Sequence, residues 1–161
     1  MYLFFGGLSS IIFFGMPGRV KSYLIVAIQL TALVFILLSG PLLSRQKGLL
    51  ALELIGVFLG LWAIFEFRNT TFKITPEVGE GANLVVSGPY KFLRHPMYTG
   101  LLFIAFSLIM DAFTNMRLIA GLILFLDLIY KTKLEEKYLK SHFKNYKSYA
   151  KYTYRLIPFI Y

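Results

Sequence analysis

The sequence predicts an all-α integral membrane protein with four to five transmembrane helices, ending in a helical hairpin and a short amphipathic C-terminal helix. Three observations carry this expectation. Apolar residues fill 57% of the 161 positions and charged residues only 16%, too apolar a mixture for a soluble domain of this size. Long apolar runs recur along the chain, and the basic residues gather on one side of them.

Tyr23–Leu43 and Leu49–Phe67 each approach the ~20 residues that cross a hydrocarbon core of about 30 Å. Met97–Ile109, continuing towards Met110, and Leu118–Tyr130 are shorter and read as a tight hairpin with Asp111 to Arg117 as its tip. The N-terminal stretch Tyr2–Met16, closed by Pro17-Gly18, is short for a span and fits either a crossing or an interfacial segment. No basic region precedes it and no small-residue cleavage site follows, so a signal peptide is not expected. The whole chain, 1–161, reads as one membrane domain. Residues 1–68 supply N-terminal helices, 69–96 a cytoplasmic loop, and 97–161 a hairpin with its tail.

If the four clearer segments all cross, Arg19, Lys21, Arg68, Lys73, Lys91, Arg94 and the basic tail share one face. Only Arg45, Lys47 and Arg117 fall on the other, so positive-inside logic makes the crowded face cytoplasmic; in a prokaryote the membrane would be the plasma (inner) one. The net charge of +9 then reads as topology and attachment to anionic membrane lipids, with no nucleic-acid partner. The absence of cysteine excludes disulfides and thiolate chemistry, and the two histidines, His95 and His142, lack ligand spacing, so no metal is expected.

The tail from Lys133 to Tyr152 carries a second pattern. Lys133, Lys137, Lys140, Lys144, Lys147 and Lys151 recur in steps of four and three, which a helix gathers into one stripe. The opposite face collects Glu135, Tyr138, Leu139, His142, Tyr146 and Tyr149, as in a helix lying on an anionic surface or docked on its own bundle. Glu136 falls at the edge of the lysine stripe and can pair with Lys140, whereas Glu135 points into the aromatic side and needs a partner. This geometry ranks Glu135 above Glu136 as a site residue.

Polar chemistry concentrates in Ser87-Gly88-Pro89-Tyr90-Lys91-Phe92-Leu93-Arg94-His95-Pro96-Met97-Tyr98-Thr99-Gly100. Ionisable groups at a bilayer boundary are costly and tend to mark function. Pro96 suits a first helical turn, so the helix behind it should present open amides near Arg94 and His95, where an anion can bind. Arg94 adds a planar fork. His95, Tyr98 and Thr99 lie one turn apart on a shared face, Gly88-Pro89 turns Tyr90 towards them, and Gly100 permits close helix approach. An anion-binding half at Arg94 and His95 facing a cation-binding half at Glu135 and Glu136 would suit a zwitterionic amino acid.

Gly88-Pro89-Tyr90, Arg94-His95-Pro96-Met97-Tyr98 with Gly100, then Glu135-Glu136, resembles the signature of the isoprenylcysteine carboxyl methyltransferase and phospholipid methyltransferase superfamily. The ending Tyr146, Tyr149, Arg155, Ile157-Pro158 is similar too, so the resemblance covers roughly residues 68–158. It implies that S-adenosylmethionine binds at the cytoplasmic end of the hairpin, under a short C-terminal helix. Tyr90, His95, Tyr98, Gly100, Glu135 and Glu136 would contact the cofactor, with Arg94 and Arg155 near its carboxylate or the substrate as catalytic residues. One departure stands at His142-Phe143, where members tend to have Phe-Gly.

The implied activity is methyl transfer to a lipophilic acceptor or lipid, with a lean towards a carboxyl-type acceptor and no obligate protein partner. An anionic acceptor asks for alignment and little acid–base chemistry, whereas an amine must lose a proton to His95 or a glutamate. Competing readings are a NADPH-dependent sterol or enone reductase, normally a larger protein; a non-catalytic adaptor using the basic tail; and a channel or transporter subunit, for which the clear spans lack a polar stripe. Asp127 is expected to reach Lys131 as a structural pair, and Glu53 and Glu66 to be interfacial.

Overall fold

The structure is a computed structural model that describes residues 18–68 and 84–157. The Tyr2–Met16 segment, most of the 69–96 loop, and Pro158 lie outside the described residues. Within them the chain is all-helical. Helix α1 spans Gly18–Leu38, α2 Lys47–Phe67, α3 Pro96–Asp111, α4 Asn115–His142 and α5 Tyr146–Tyr149, with a 3₁₀ turn at Gly88–Lys91.

At 21 residues each, α1 and α2 are about 31 Å long. Both are apolar enough to cross a membrane, and α3 is apolar but shorter at 16 residues. Their surfaces agree with that environment: Leu54, Ile55, Phe58, Leu61, Ile64 and Phe65 of α2 are all more than half exposed. Only Glu53, Gly56 and Ala63 of that helix are buried, one narrow face turned to its neighbour, and the apolar residues of the rest face outwards. Helix α4 has 28 residues, about 42 Å, so an apolar core of ~30 Å would take up its first twenty or so and leave the polar end from about Glu135 onward.

The bundle is built from two intimate antiparallel pairs, α2 with α3 and α1 with α4. Glycines set the first. A Cβ on Gly100 would stand 2.6 Å from the carbonyl oxygen of Gly56 and 3.2 Å from the amide nitrogen of Gly60, so the backbones approach as only glycine allows. The α1–α4 seam and the adjoining face of α3 form the apolar core of Ala32, Ile36, Ala105, Leu108, Leu124 and Leu128. The hairpin expected between α3 and α4 is present, with a tip of only Ala112 to Thr114, where Thr114 caps α4 by accepting from the Arg117 amide at 3.2 Å.

The far end is pinned by polar groups that the sequence placed at an interface. Asp111 Oδ1 accepts from the amides of Arg45 and Gln46 at 2.7 and 3.1 Å, fixing the turn into α2. Glu53 is buried and accepts from the Ser44 amide and hydroxyl at 3.0 and 2.8 Å. Arg117, read as the end of the hairpin tip, is 1% exposed and donates to the Leu108 carbonyl at 2.6 Å, its charge at the negative end of α3. The antiparallel pairing leaves Arg45, Lys47 and Arg117 at this end and gathers Lys21, Arg68, Arg94 and the basic tail at the opposite one.

Candidate active site

At that opposite end, Gly88 opens the motif with a φ of +54°, in the region glycine tolerates. Any Cβ there would meet the Glu66 side chain at 2.5 Å, and Glu66 accepts from the Ser87 hydroxyl at 2.6 Å. Glu66 is thus the peg at the end of α2 on which the motif turns, a role the sequence reading missed. Pro89 starts the 3₁₀ turn and delivers Tyr90 to a buried position against Phe67, with ring centroids 5.9 Å apart.

Pro96 occupies the first turn of α3, as expected. The amides of Arg94 and His95 are nevertheless not open to an anion. They donate to the carbonyls of Tyr154 and Arg155 at 2.8 and 3.2 Å, while the Tyr154 amide donates to Phe92. Leu93 and Tyr154 form a single parallel bridge, so the tail lies across the motif as a strap. The buried Thr99 hydroxyl donates to the Leu156 carbonyl at 2.5 Å, and the Tyr149 hydroxyl donates to the Tyr90 carbonyl at 2.7 Å. In the first turn behind Pro96, where open amides were expected, those of Tyr98 and Thr99 donate to the His95 carbonyl at 3.1 and 3.2 Å.

The tail itself is not one helix. Helix α4 stops at His142, the chain is extended at Phe143, and α5 is a single turn. The break falls where the sequence departs from the superfamily pattern, and there the His142 and Phe143 rings meet edge to face at 4.8 Å. Lys133, Lys137, Lys140, Lys144, Lys147 and Lys151 are all exposed, so the basic stripe survives the break as a surface. Tyr138 and His142 are exposed too, against the expectation of an inward aromatic face.

That rotation changes the ranking of the two glutamates. Glu136 is 3% exposed and is the hub of the cluster. Arg155 grips it with two nitrogens, Nε to Oε1 at 2.8 Å and Nη2 to Oε2 at 2.7 Å. Arg94 Nε donates to Oε1 at 2.8 Å, and Lys140 stands 3.6 Å from Oε2 at the expected i+4 spacing. Arg94 Nη1 also donates to the carbonyls of Ala150 and Thr153 on the strap. Both arginines thus hold Glu136 and the tail, rather than forming a separate anion-binding half. Glu135 is more open, its side chain 19% exposed, and does find its partners on the motif. The Tyr98 hydroxyl donates to Glu135 Oε1 at 2.5 Å, and His95 Nδ1 lies 3.2 Å from Oε2. The His95 and Tyr98 rings stack at 5.6 Å with planes 5° apart.

Electrostatics follow from this packing. Burial alone would lower the His95 pKa, but the hydrogen bond to Glu135 and the charge of Glu136, 3.8 Å from Nε2, raise it above its ordinary value. Burial would raise Glu136, yet His95, Arg155 and Arg94 hold its carboxyl well below the usual range. Burial pushes the Tyr149 phenol up to about 12, and it raises Tyr90 and Tyr146 as well. These tyrosines stay neutral; the Tyr149 hydroxyl donates, and all three rings serve as packing surfaces.

The structure therefore brings together Tyr90, Arg94, His95, Tyr98, Glu135, Glu136 and Arg155, residues scattered over more than sixty positions. Gly100 serves the same region as the close contact of α3 with α2. A groove of about 570 Å³ on α1, lined by Leu30, Thr31, Val34 and Phe35, is apolar and separate from this cluster. The expected Asp127–Lys131 pair is replaced by a contact that the sequence reading did not foresee: Lys131 Nζ bonds Gln29 Oε1 at 3.1 Å.

Apolar outward-facing helices with a charged, strapped cluster at one end point to a membrane-associated protein with a polar site at one end of its bundle. Residues 47–146 match the family model for phospholipid methyltransferases, which is well over half of the chain, and the protein belongs to that family, within the isoprenylcysteine and phospholipid methyltransferase superfamily. Membership makes it a membrane methyltransferase in the general sense. A comparison with curated proteins found no match.

Proposed function

We propose that this protein is an S-adenosylmethionine-dependent methyltransferase acting on a lipophilic acceptor at the cytoplasmic membrane face, with a carboxyl-type acceptor favoured. The observation that carries the reading is the meeting of His95, Tyr98 and Glu135 within 3.2 Å at the charged end of the apolar bundle. In this reading α1 to α4 all cross the bilayer, and the lysine-rich end of the bundle is the cytoplasmic one.

The residues suit the cofactor chemically. Its amino group asks for a carboxylate, and Glu135 offers one that is partly exposed. Its adenosyl and sulfonium parts ask for aromatic walls, which Tyr90 and the stacked His95 and Tyr98 rings supply. His95 Nε2 and the Tyr146 hydroxyl are buried polar atoms with no hydrogen-bond partner of their own, so the site holds donors and acceptors beyond what its internal network uses. S-adenosylmethionine supplies an electrophilic methyl group on sulfur. The protein's part is to hold donor and acceptor in line and keep water out, effects that together supply about 7–11 kcal/mol in well-oriented systems. Arg94 and Arg155 are fixed on Glu136 and the strap, and in this reading they act by holding the tail over the site, near the cofactor carboxylate or the acceptor head.

The test is methyl transfer from radiolabelled S-adenosylmethionine into a total lipid extract, with calorimetry of S-adenosylhomocysteine binding to the purified protein. Labelled lipid and binding weakened by Glu135→Ala or His95→Ala are expected. Binding of NADPH in place of S-adenosylhomocysteine would establish the reductase reading, and binding of neither the adaptor.

A further inference from the structure

Two charged side chains inside the bundle have no part in the site as described. Asp127 and Lys131 are 9% and 3% exposed, and with Glu135 they occupy every fourth position of α4, so all three share one face. Ionisable groups buried at this depth are costly unless they are paired and used. Lys131 Nζ lies 3.1 Å from Gln29 Oε1 on α1 and 5.1 Å from the centroid of the Tyr98 ring on α3. The same ring stacks on His95, and its hydroxyl holds Glu135 at 2.5 Å. A run of contacts therefore passes from Gln29 through Lys131 and Tyr98 to Glu135 and His95.

The geometry points to Lys131, held by Gln29, as a positioning residue that fixes Tyr98 and so aligns Glu135 and His95 for the adenosyl cofactor. The ammonium attracts the electron-rich face of the ring, which limits how far the phenol can tilt away from the carboxylate. Gln29 keeps the ammonium over the ring by using one of its three protons. Glu135 and, after it, Asp127 lie within electrostatic reach of Lys131 and offset its charge, and the Asp127 Oδ2 has no hydrogen-bond partner. This arrangement ties α1 to the site through Gln29.

The inference rests on the proposed cofactor reading, and its test separates the two. S-adenosylhomocysteine is titrated by calorimetry onto the full-length protein in detergent, with thermal unfolding of each variant measured alongside. Lys131→Met is expected to weaken binding about tenfold, as coupled neighbours in one network do, and Lys131→Arg to recover most of it. Gln29→Leu, at a half-buried position, is expected to weaken binding in the same direction by less. In a Tyr98→Leu background the Lys131→Met effect should vanish, because the ring through which it acts is gone. Undiminished loss in that background, or wild-type affinity in both Lys131→Met and Gln29→Leu, overturns the positioning role while leaving the cofactor reading intact. A wild-type protein that fails to bind S-adenosylhomocysteine overturns both.

Discussion

Replacing Glu136 with glutamine removes the charge on which the two arginines and the strap converge. Breaking a buried ion pair by deleting one partner costs about 3–5 kcal/mol when the remaining charge is left unpaired. Three features of this site trim that figure. Glutamine keeps one oxygen able to accept from a guanidinium. Arg94 retains its bonds to the carbonyls of Ala150 and Thr153, and the Arg155 side chain, 21% exposed, can turn towards water. Lys140 adds little, since its side chain is 47% exposed and such pairs contribute only ~0.3–0.5 kcal/mol. The expected loss is about 2–3 kcal/mol, or a fall of roughly 4–12 °C in unfolding temperature for a chain of this size. The assay is thermal unfolding in detergent, paired with limited trypsin digestion at Lys144, Lys147 and Lys151 on the strap. Glu136→Gln should be cut faster there, whereas Glu135→Gln, which touches neither arginine, should be cut as the wild type is. A shift below about 2 °C with unchanged cleavage would refute the assignment of Glu136 as the hub.

Gly100→Ala forces a methyl group against backbone atoms of Gly56 and Gly60 and should cost about 1–3 kcal/mol by thermal unfolding. Gly48→Ala, whose added Cβ meets no atom within 4 Å, should be neutral or stabilise by up to about 1 kcal/mol, and the opposite order would contradict the helix contact. His95 has a raised pKa in the fold, so its imidazolium stabilises fully below about pH 6.5 and this contribution is lost as pH rises through the raised value. The gap in unfolding temperature between wild type and His95→Gln should therefore shrink from pH 6 upwards, and a gap independent of pH counts against the Glu135 contact. Glu136 works in the reverse sense: its lowered pKa keeps its contribution in place above about pH 4.5 and loses it only in stronger acid, so it does not blur that profile. Asp111→Ala releases the turn into α2 and should cost about 1–2 kcal/mol, measured the same way, with no change in S-adenosylhomocysteine affinity at the far end.

Much of the architecture was legible because lipid imposes a simple rule. Apolar runs of membrane length must be helices, and α2 and α3 fall within two residues of the segments read from composition, whereas α1 begins and ends five residues before Tyr23–Leu43 and α4 runs on past Tyr130 to His142. The convergence of the motif with Glu135 and Glu136 was legible from charge in an apolar setting. What escaped the reading was chiefly rotation and partnership. Glu136 was assigned outwards because the lysine stripe was projected on a continuous helix, yet α4 presents Glu136 to the bundle and stops at His142. The amides behind Arg94 were thought open because a bridge to Tyr154 leaves no local trace. The Gly56–Gly60 spacing in an apolar helix, facing Gly100, was a readable sign of the α2–α3 contact that went unused. So was the fourfold spacing of Asp127, Lys131 and Glu135, which sets a lysine one turn from Glu135 on the same face of α4.

Helix α1 stands outside the matched stretch of 47–146 but seals Leu124 and Leu128 with Ile36 and Ala32, and holds Lys131 through Gln29. The family signature and the folding unit thus have different borders. A fragment trimmed to the signature alone would bare a charged side chain and a seam of core leucines to the lipid, and excising the chemistry from its first helix would dismantle it.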